Sequence, residues 1–311
     1  PFGLSKKWVI QDFENMVDLT FTPTSDNRRD VLEDGTVWVD VWGNRLSLFF
    51  KDADISISGA GKHVVRFDAD AAFKELIIDL QGTNTFTCQS ANVFQFPNGG
   101  EIELDGSADA VLNIQPRYHA FYCNEDARLT FGMATTSAPF QMNIQPLERC
   151  VQPAFAGNED KKVTLRFYSV NADIRVSEGK AITLGISNVI VADQLTLLPE
   201  GTAWNKSQKK FMVSGAELTD SLMIVAPEPT IKYGIQIGDL ELTSKNYENI
   251  EVGGSAGTVT YDPEEKVLTL ENFIYNSNFG MVAVLDITTD NLTINLVGEN
   301  RIISSNLNTM R

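Results

Sequence analysis

Residues Val93–Phe131 read VFQFPNGGEIELDGSADAVLNIQPRYHAFYCNEDARLTF. Within this stretch Val93, Ile102, Val111, Ala120 and Leu129 open successive apolar segments nine positions apart. Steps of nine to twelve residues continue through Phe140, Val151, Val163 and Ile174. In segments such as EIEL (Glu101–Leu104) apolar and polar residues alternate, the period of a strand with one buried face. Runs of the same type recur as LSLFF (Leu46–Phe50), LIIDL (Leu76–Leu80), VLNI (Val111–Ile114), VTLRF (Val163–Phe167) and LTLL (Leu195–Leu198). DADAAFKE (Asp68–Glu75) is the single passable helix candidate, a turn or two long.

Short strands at this spacing fit an antiparallel β-sandwich, or a solenoid in which three strands of roughly nine to ten residues make one rung. The connections separate the two. A sandwich needs tight Asn-Gly or Asp-Gly hairpin turns between most strands, whereas here Asp34-Gly35, Asn98-Gly99 and Asp105-Gly106 alone qualify. Most connections are mixtures such as KDAD from Lys51 and YSVNAD from Tyr168, which turn a corner without reversing. The expected fold is all-β, a parallel β-helix with three short strands per rung, with the sandwich as the alternative.

Forty-one acidic against twenty-five basic residues give the 311-residue chain a formal charge of −16. Such a field repels phosphate backbones and anionic headgroups, so nucleic acid is not an expected partner. It attracts hard cations, Ca²⁺ in particular. No apolar run approaches the length that spans a bilayer. Cys88, Cys123 and Cys150 are too few and too far apart for a disulfide framework or a zinc site, and are expected as buried thiols. The chain opens at Pro1 with no signal sequence and closes without a recognisable cap, so a longer parent is expected.

An internal duplication organises the chain. Gly35-Thr36-Val37-Trp38-Val39-Asp40 with Leu46-Ser47-Leu48 matches Gly257-Thr258-Val259-Thr260-Tyr261-Asp262 with Leu268-Thr269-Leu270 at one offset. Leu76–Asn84 (LIIDLQGTN) matches Leu292–Asn300 (LTINLVGEN), and Lys7–Gln11 parallels Lys232–Gln236. Residues 1–226 then form a first β-helix unit with an N-terminal capping segment. Residues 227–230 are a Pro-rich linker, and 231–311 begin a second, incomplete β unit.

The copies also orient TVWVDVW (Thr36–Trp42), whose valines alternate with Trp38, Asp40 and Trp42. Val37 and Val39 are answered by Val259 and Tyr261, while Trp38 and Trp42 are answered by Thr260 and Glu264. Burying Glu264 unpaired would cost several kcal/mol. The valines are therefore expected inside and the Trp38–Asp40–Trp42 face outside. Indoles four residues apart on one strand stand about 13 Å apart, a spacing that would match alternate sugar rings. The tryptophans covering a neighbouring loop is the plainer explanation.

The pattern Tyr233-Gly234-Ile235-Gln236-Ile237-Gly238, then Gly257 through Asn272, then Leu292 through Asn300, resembles a repeat of secreted β-solenoid proteins of Bacteroidales and clostridia. The likeness covers roughly 230–303 well and 7–84 more loosely. The resemblance implies a right-handed parallel β-helix at the cell surface, carbohydrate-binding or adhesin-like. It brings no catalytic signature.

Catalysis on a β-helix remains the competing reading, yet the chain lacks the Asn-Thr-Asp, Asp-Asp, Gly-His-Gly and Arg-Ile-Lys motifs shared by β-helical pectin hydrolases. His63 follows a glycine turn and His119 sits among aromatics, where packing is commoner than catalysis. The pairs Asp52/Asp54, Asp68/Asp70 and Asp262/Glu264 could share a cation in i,i+2 strand geometry, although solvated faces are the commoner origin of such pairs. The expected function is a non-enzymatic extracellular surface module for glycans or partner proteins, using Trp38, Asp40 and Trp42, with Ca²⁺ at Asp52, Asp54, Asp68 and Asp70 as the weaker metal expectation. A polysaccharide lyase or hydrolase and a structural spacer of a longer surface protein are the alternatives.

Overall fold

The computed structural model describes residues 6–11, 16–21, 29–30, 35–42, 45–67, 74–133, 138–228, 230–277 and 284–304. These cluster into two units, Pro1–Pro227 and Glu228–Arg311. Among the described residues there is no α-helix. Of the helix candidate Asp68–Glu75, residues 68–73 lie outside the described residues, while Glu75 opens the strand Glu75–Gln81.

The first unit is a parallel β-helix. Its first coil consists of Arg45–Lys51, Asp54–Ile57 and Val65–Arg66, and its second of Glu75–Gln81, Thr83–Cys88 and Phe94–Phe96. Gly100–Gly106, Val111–Pro116 and Phe121–Cys123 make the third, and Ala127–Phe131, Phe140–Ile144 and Phe155–Gly157 the fourth. Val163–Phe167, Val170–Arg175 and Thr183–Leu184 complete the fifth. The first strands of all coils form one sheet, the second strands another and the third strands a third. The nine-residue step is the length of one side of a coil, so residues 27 apart stack: Ile102 pairs with Leu129, and Phe94 with Phe121. The step lengthens beyond Leu129, where Leu165 is the partner 36 residues on.

Alternation turns one side of every strand inward. Gly100–Gly106 buries Ile102 and Leu104, and Val163–Phe167 buries Val163, Leu165 and Phe167. Aromatic rings stack from coil to coil inside: Phe121 lies between Phe94 (centroids 4.6 Å apart) and Phe155 (5.3 Å), with ring planes within 9° of parallel. Cys88, Cys123 and Cys150 are buried free thiols, as their spacing implied.

Antiparallel strands appear at the ends of the first unit, where coil-on-coil stacking stops. Val37–Trp42 folds back on Arg45–Lys51. At the other end Ser221–Val225 runs against Val170–Arg175, and a three-stranded piece, Ala203–Asn205, Lys210–Val213 and Ala216–Glu217, brings Phe211 and Trp204 edge-to-face over the core.

In the second unit, Ser255–Asp262 pairs antiparallel with Val267–Ser277, which then pairs parallel with Thr293–Val297 and Arg301–Ser304. This repeats the hairpin-plus-parallel-strand order of the first unit. Lys232–Ile237 is a hairpin strand, as is Lys6–Gln11. The duplicated blocks thus recur as the same elements.

The corner between the first and second strands of a coil is built identically in both copies. Asp52 (φ 51°) accepts the Thr83 N–H at 2.9 Å, and Asn272 (φ 49°) accepts the Glu299 N–H at 3.1 Å. Asn84 accepts the Ala53 N–H and donates to the Gln81 carbonyl, each at 3.0 Å; Asn300 accepts the Phe273 N–H and donates to the Val297 carbonyl. Gly82 and Gly298 have positive φ, and a Cβ on either would stand about 2 Å from the Asp52 or Asn272 side-chain oxygen (2.0 and 2.1 Å). In each copy a polar side chain in the left-handed conformation thus stitches one strand pair to the next at this corner, in the first unit beside the backbone bond from the Asp52 N–H to the Gln81 carbonyl.

Candidate functional site: the outer face of the first sheet

The phase of TVWVDVW is as the repeat implies. Val37 and Val39 are buried at 0% and 6% exposure, and Trp38 and Asp40 are half-buried on the opposite side. The side chain of Trp42 lies outside the described residues. Glu264, however, does not stand on a strand face. It belongs to the turn after Asp262, whose carboxylate accepts the N–H groups of Glu264 and Glu265 at 2.9 and 3.1 Å. Pro263 cannot donate to a ladder, so the second copy turns two residues earlier than the first.

Register carries the Trp38–Asp40 side across the whole sheet. One outward row runs Arg45, Glu75, Glu101, Arg128, Thr164, beginning at the backbone partner of Trp42. A second runs Asp40, Ser47, Ile77, Glu103, Thr130, Arg166, and a third Trp38, Phe49, Asp79, Asp105. Adjacent strands are about 4.8 Å apart, so each row is a continuous ladder of side chains. In the first row Arg45 bonds Glu75 at 3.0 Å and Arg128 bonds Glu101 at 2.5 Å, two ion pairs that flank the register neighbours Glu75 and Glu101.

A groove of about 380 Å³ opens over these rows. Its walls include Arg45, Glu103 and Arg128, with Met133, Arg166 and Tyr168 on the later coils. Burial raises the Glu103 carboxyl above its ordinary pKa; the charges of Asp105 and Glu75 push the same way and Arg45 opposes them. Two polar atoms of this face, Arg166 Nε and Asp105 Oδ1, are buried without a hydrogen-bond partner. Buried orphans of this kind are uncommon, and a ligand's hydroxyl or carboxylate is one thing that satisfies them.

The structure brings Trp38 and Asp40 onto the same face as this groove, towards its first coil. Asp52 is instead a corner clamp, and Asp54 is an exposed residue of the second sheet. Asp68 and Asp70 lie outside the described residues. No cluster of three His, Cys, Asp or Glu with metal-holding geometry occurs among the described residues. His63 Nδ1 lies 3.0 Å from the Asn92 carbonyl. His119 is buried against Tyr122, with Nδ1 2.8 Å from the Pro153 carbonyl, and burial lowers its pKa. Both fit packing roles.

Sequence reading missed Arg45, Glu103, Arg128, Arg166 and Tyr168. The signal was present as charged residues on the polar phase of RLSLFF, EIELD, ARLTF and VTLRF, but only coil-to-coil register places them in one groove. Compared with known families, curated proteins and solved structures, the chain matches none.

Proposed function

We propose that the outer face of the first sheet is a non-enzymatic binding surface for extended glycans, working at an extracellular surface. The observation that carries this reading is the groove over these outward rows, whose wall residue Arg166 has a buried Nε without a partner. Sugar hydroxyls donate and accept at once, so they suit a wall that carries both guanidinium and carboxylate groups. The half-buried Trp38 and the groove residue Tyr168 supply faces for stacking. A row of side chains repeating at each coil suits a polymer better than a compact ligand.

The test is a glycan array followed by titration calorimetry on the best ligand. Arg166→Ala and Tyr168→Ala should each weaken binding at least tenfold without moving the melting temperature by more than a few degrees. Trp38→Ala should weaken long oligosaccharides more than short ones. An array with no hit, or variants that bind as the parent does, sinks the reading and leaves the spacer alternative.

One observation favours a second reading, a polysaccharide-cleaving enzyme. Glu103 is raised towards the protonated form beside the Asp105 carboxylate, and a carboxylic acid next to a carboxylate is the arrangement that glycosidic cleavage uses. Release of reducing or unsaturated sugar from acidic polysaccharides, abolished by Glu103→Gln, would establish it.

A further inference from the structure

The arginines that line the groove are not equivalent. Arg45 and Arg128 are each matched by a carboxylate, Glu75 at 3.0 Å and Glu101 at 2.5 Å. Arg166 stands in the second outward row between Thr130 and Ile190, both uncharged. Among the described residues no carboxylate pairs with it. Its Nε is buried with no hydrogen-bond partner, so neither the fold nor bulk water satisfies that donor. Tyr168 and the exposed Met133 belong to the same groove.

Two strands back along the row is Glu103, which also forms no ion pair among the described residues. Strand spacing sets these two backbone positions on the order of 10 Å apart. Burial raises the Glu103 carboxyl pKa, and the Asp105 and Glu75 charges add to the effect against Arg45, so this end disfavours further negative charge. The groove is therefore dipolar, with an unmatched cation on the fifth coil, an unmatched acid on the third, and two neutralised pairs alongside.

We propose that the groove takes a glycan ending in a single carboxylated sugar, its carboxylate on Arg166 and its neutral sugars running towards Glu103. This names the ligand class of the surface described under the proposed function and rests on that reading. A side-on carboxylate engages the guanidinium Nε and the neighbouring Nη together, which satisfies the buried donor. Tyr168 offers an aromatic face to the ring that carries the carboxylate. Hydroxyls donate to a carboxylate and accept from a carboxylic acid, so neutral sugars suit the Glu103 end in either protonation state. A glycan charged at every ring fits less well, because its next carboxylates would approach Glu103 and the whole chain carries a formal charge of −16.

The test uses the whole chain on an array of oligosaccharides with and without a terminal sialic or glucuronic acid, followed by calorimetry on the strongest matched pair. The carboxylated member should bind at least tenfold tighter than its neutral parent, and at least tenfold tighter than trigalacturonate, which is charged at each ring. Arg166→Gln keeps an N–H donor without the charge. It should bring the carboxylated glycan down to the affinity of the parent, leave the parent within about threefold, and leave the melting curve in place. Arg166→Lys keeps the charge without the fork and should recover part of the lost affinity. Should Arg166→Gln melt early, the preference of the unaltered protein and the partial loss in Arg166→Lys decide the matter. Equal binding within the matched pair, or an Arg166→Gln loss shared by both members, overturns the carboxylate assignment and leaves the broader glycan surface standing. Tighter binding of trigalacturonate overturns it in favour of a polyanion. No binding of any glycan overturns it together with the reading on which it rests.

Discussion

Asp52 illustrates how one residue type acquires a role that its spacing does not announce. Beside Asp54 it reads as half of a cation site, yet its carboxylate holds the Thr83 N–H and leaves no room for a Cβ on Gly82. The two positions are therefore coupled. Gly82→Ala must adopt a positive φ and displace Asp52, which should cost on the order of 2 kcal/mol or more. Because the clamp is already lost, Asp52→Ala should add little to Gly82→Ala, and a double-mutant cycle by denaturant unfolding should show the two losses to be less than additive. His119 gives a pH signature. Burial lowers its pKa below the ordinary value near 6.5, so the unfolded chain takes up the proton first. Its contribution to stability is fully present above that value and is lost as pH falls through 6.5 towards the lower folded value. Stability measured from pH 7.5 to 5 should fall more steeply for the parent than for His119→Gln; parallel curves would count against a neutral buried imidazole.

At the scale of elements, the stacked phenylalanines make the middle coils interdependent. Phe121→Ala empties a site between two rings and should cost about 3–5 kcal/mol, read as a shift in the unfolding midpoint. Phe94 and Phe155 would lose their shared neighbour, so protection from hydrogen exchange should drop in the coils on both sides. Much of this level was legible in sequence. The step from Val93 to Leu129 is the length of one side of a coil, and the valine phase of TVWVDVW told inside from outside. The groove was not legible, because Glu103 and Arg166 lie 63 positions apart in sequence and come to line one groove only through the pairing of three successive strands. The coil lengthens between Leu129 and Leu165, so a constant period loses that register. Nor did spacing reveal that Asp262-Pro263 moves Glu264 off the strand, since the offset between copies is unchanged while the turn starts earlier.

At the scale of the molecule, a stack of coils gains stability from neighbouring interfaces, and each coil contacts only those above and below. Whether such a stack melts as one body or coil by coil is a question about cooperativity. The protein carries its own probes for it: Cys88 ends the second strand of the second coil, Cys123 ends the third strand of the third, and Cys150 follows the second strand of the fourth. All three are sealed, and burial raises each thiol pKa, the largest factor in every case. An alkylating reagent can then label a thiol only after its own storey opens. Mass spectrometry of the labelled peptides over time in mild denaturant should give a single common rate if the column fails as a unit, and a graded series from one end if it peels. Three silent sulfurs thus turn the solenoid into a ruler for its own unravelling.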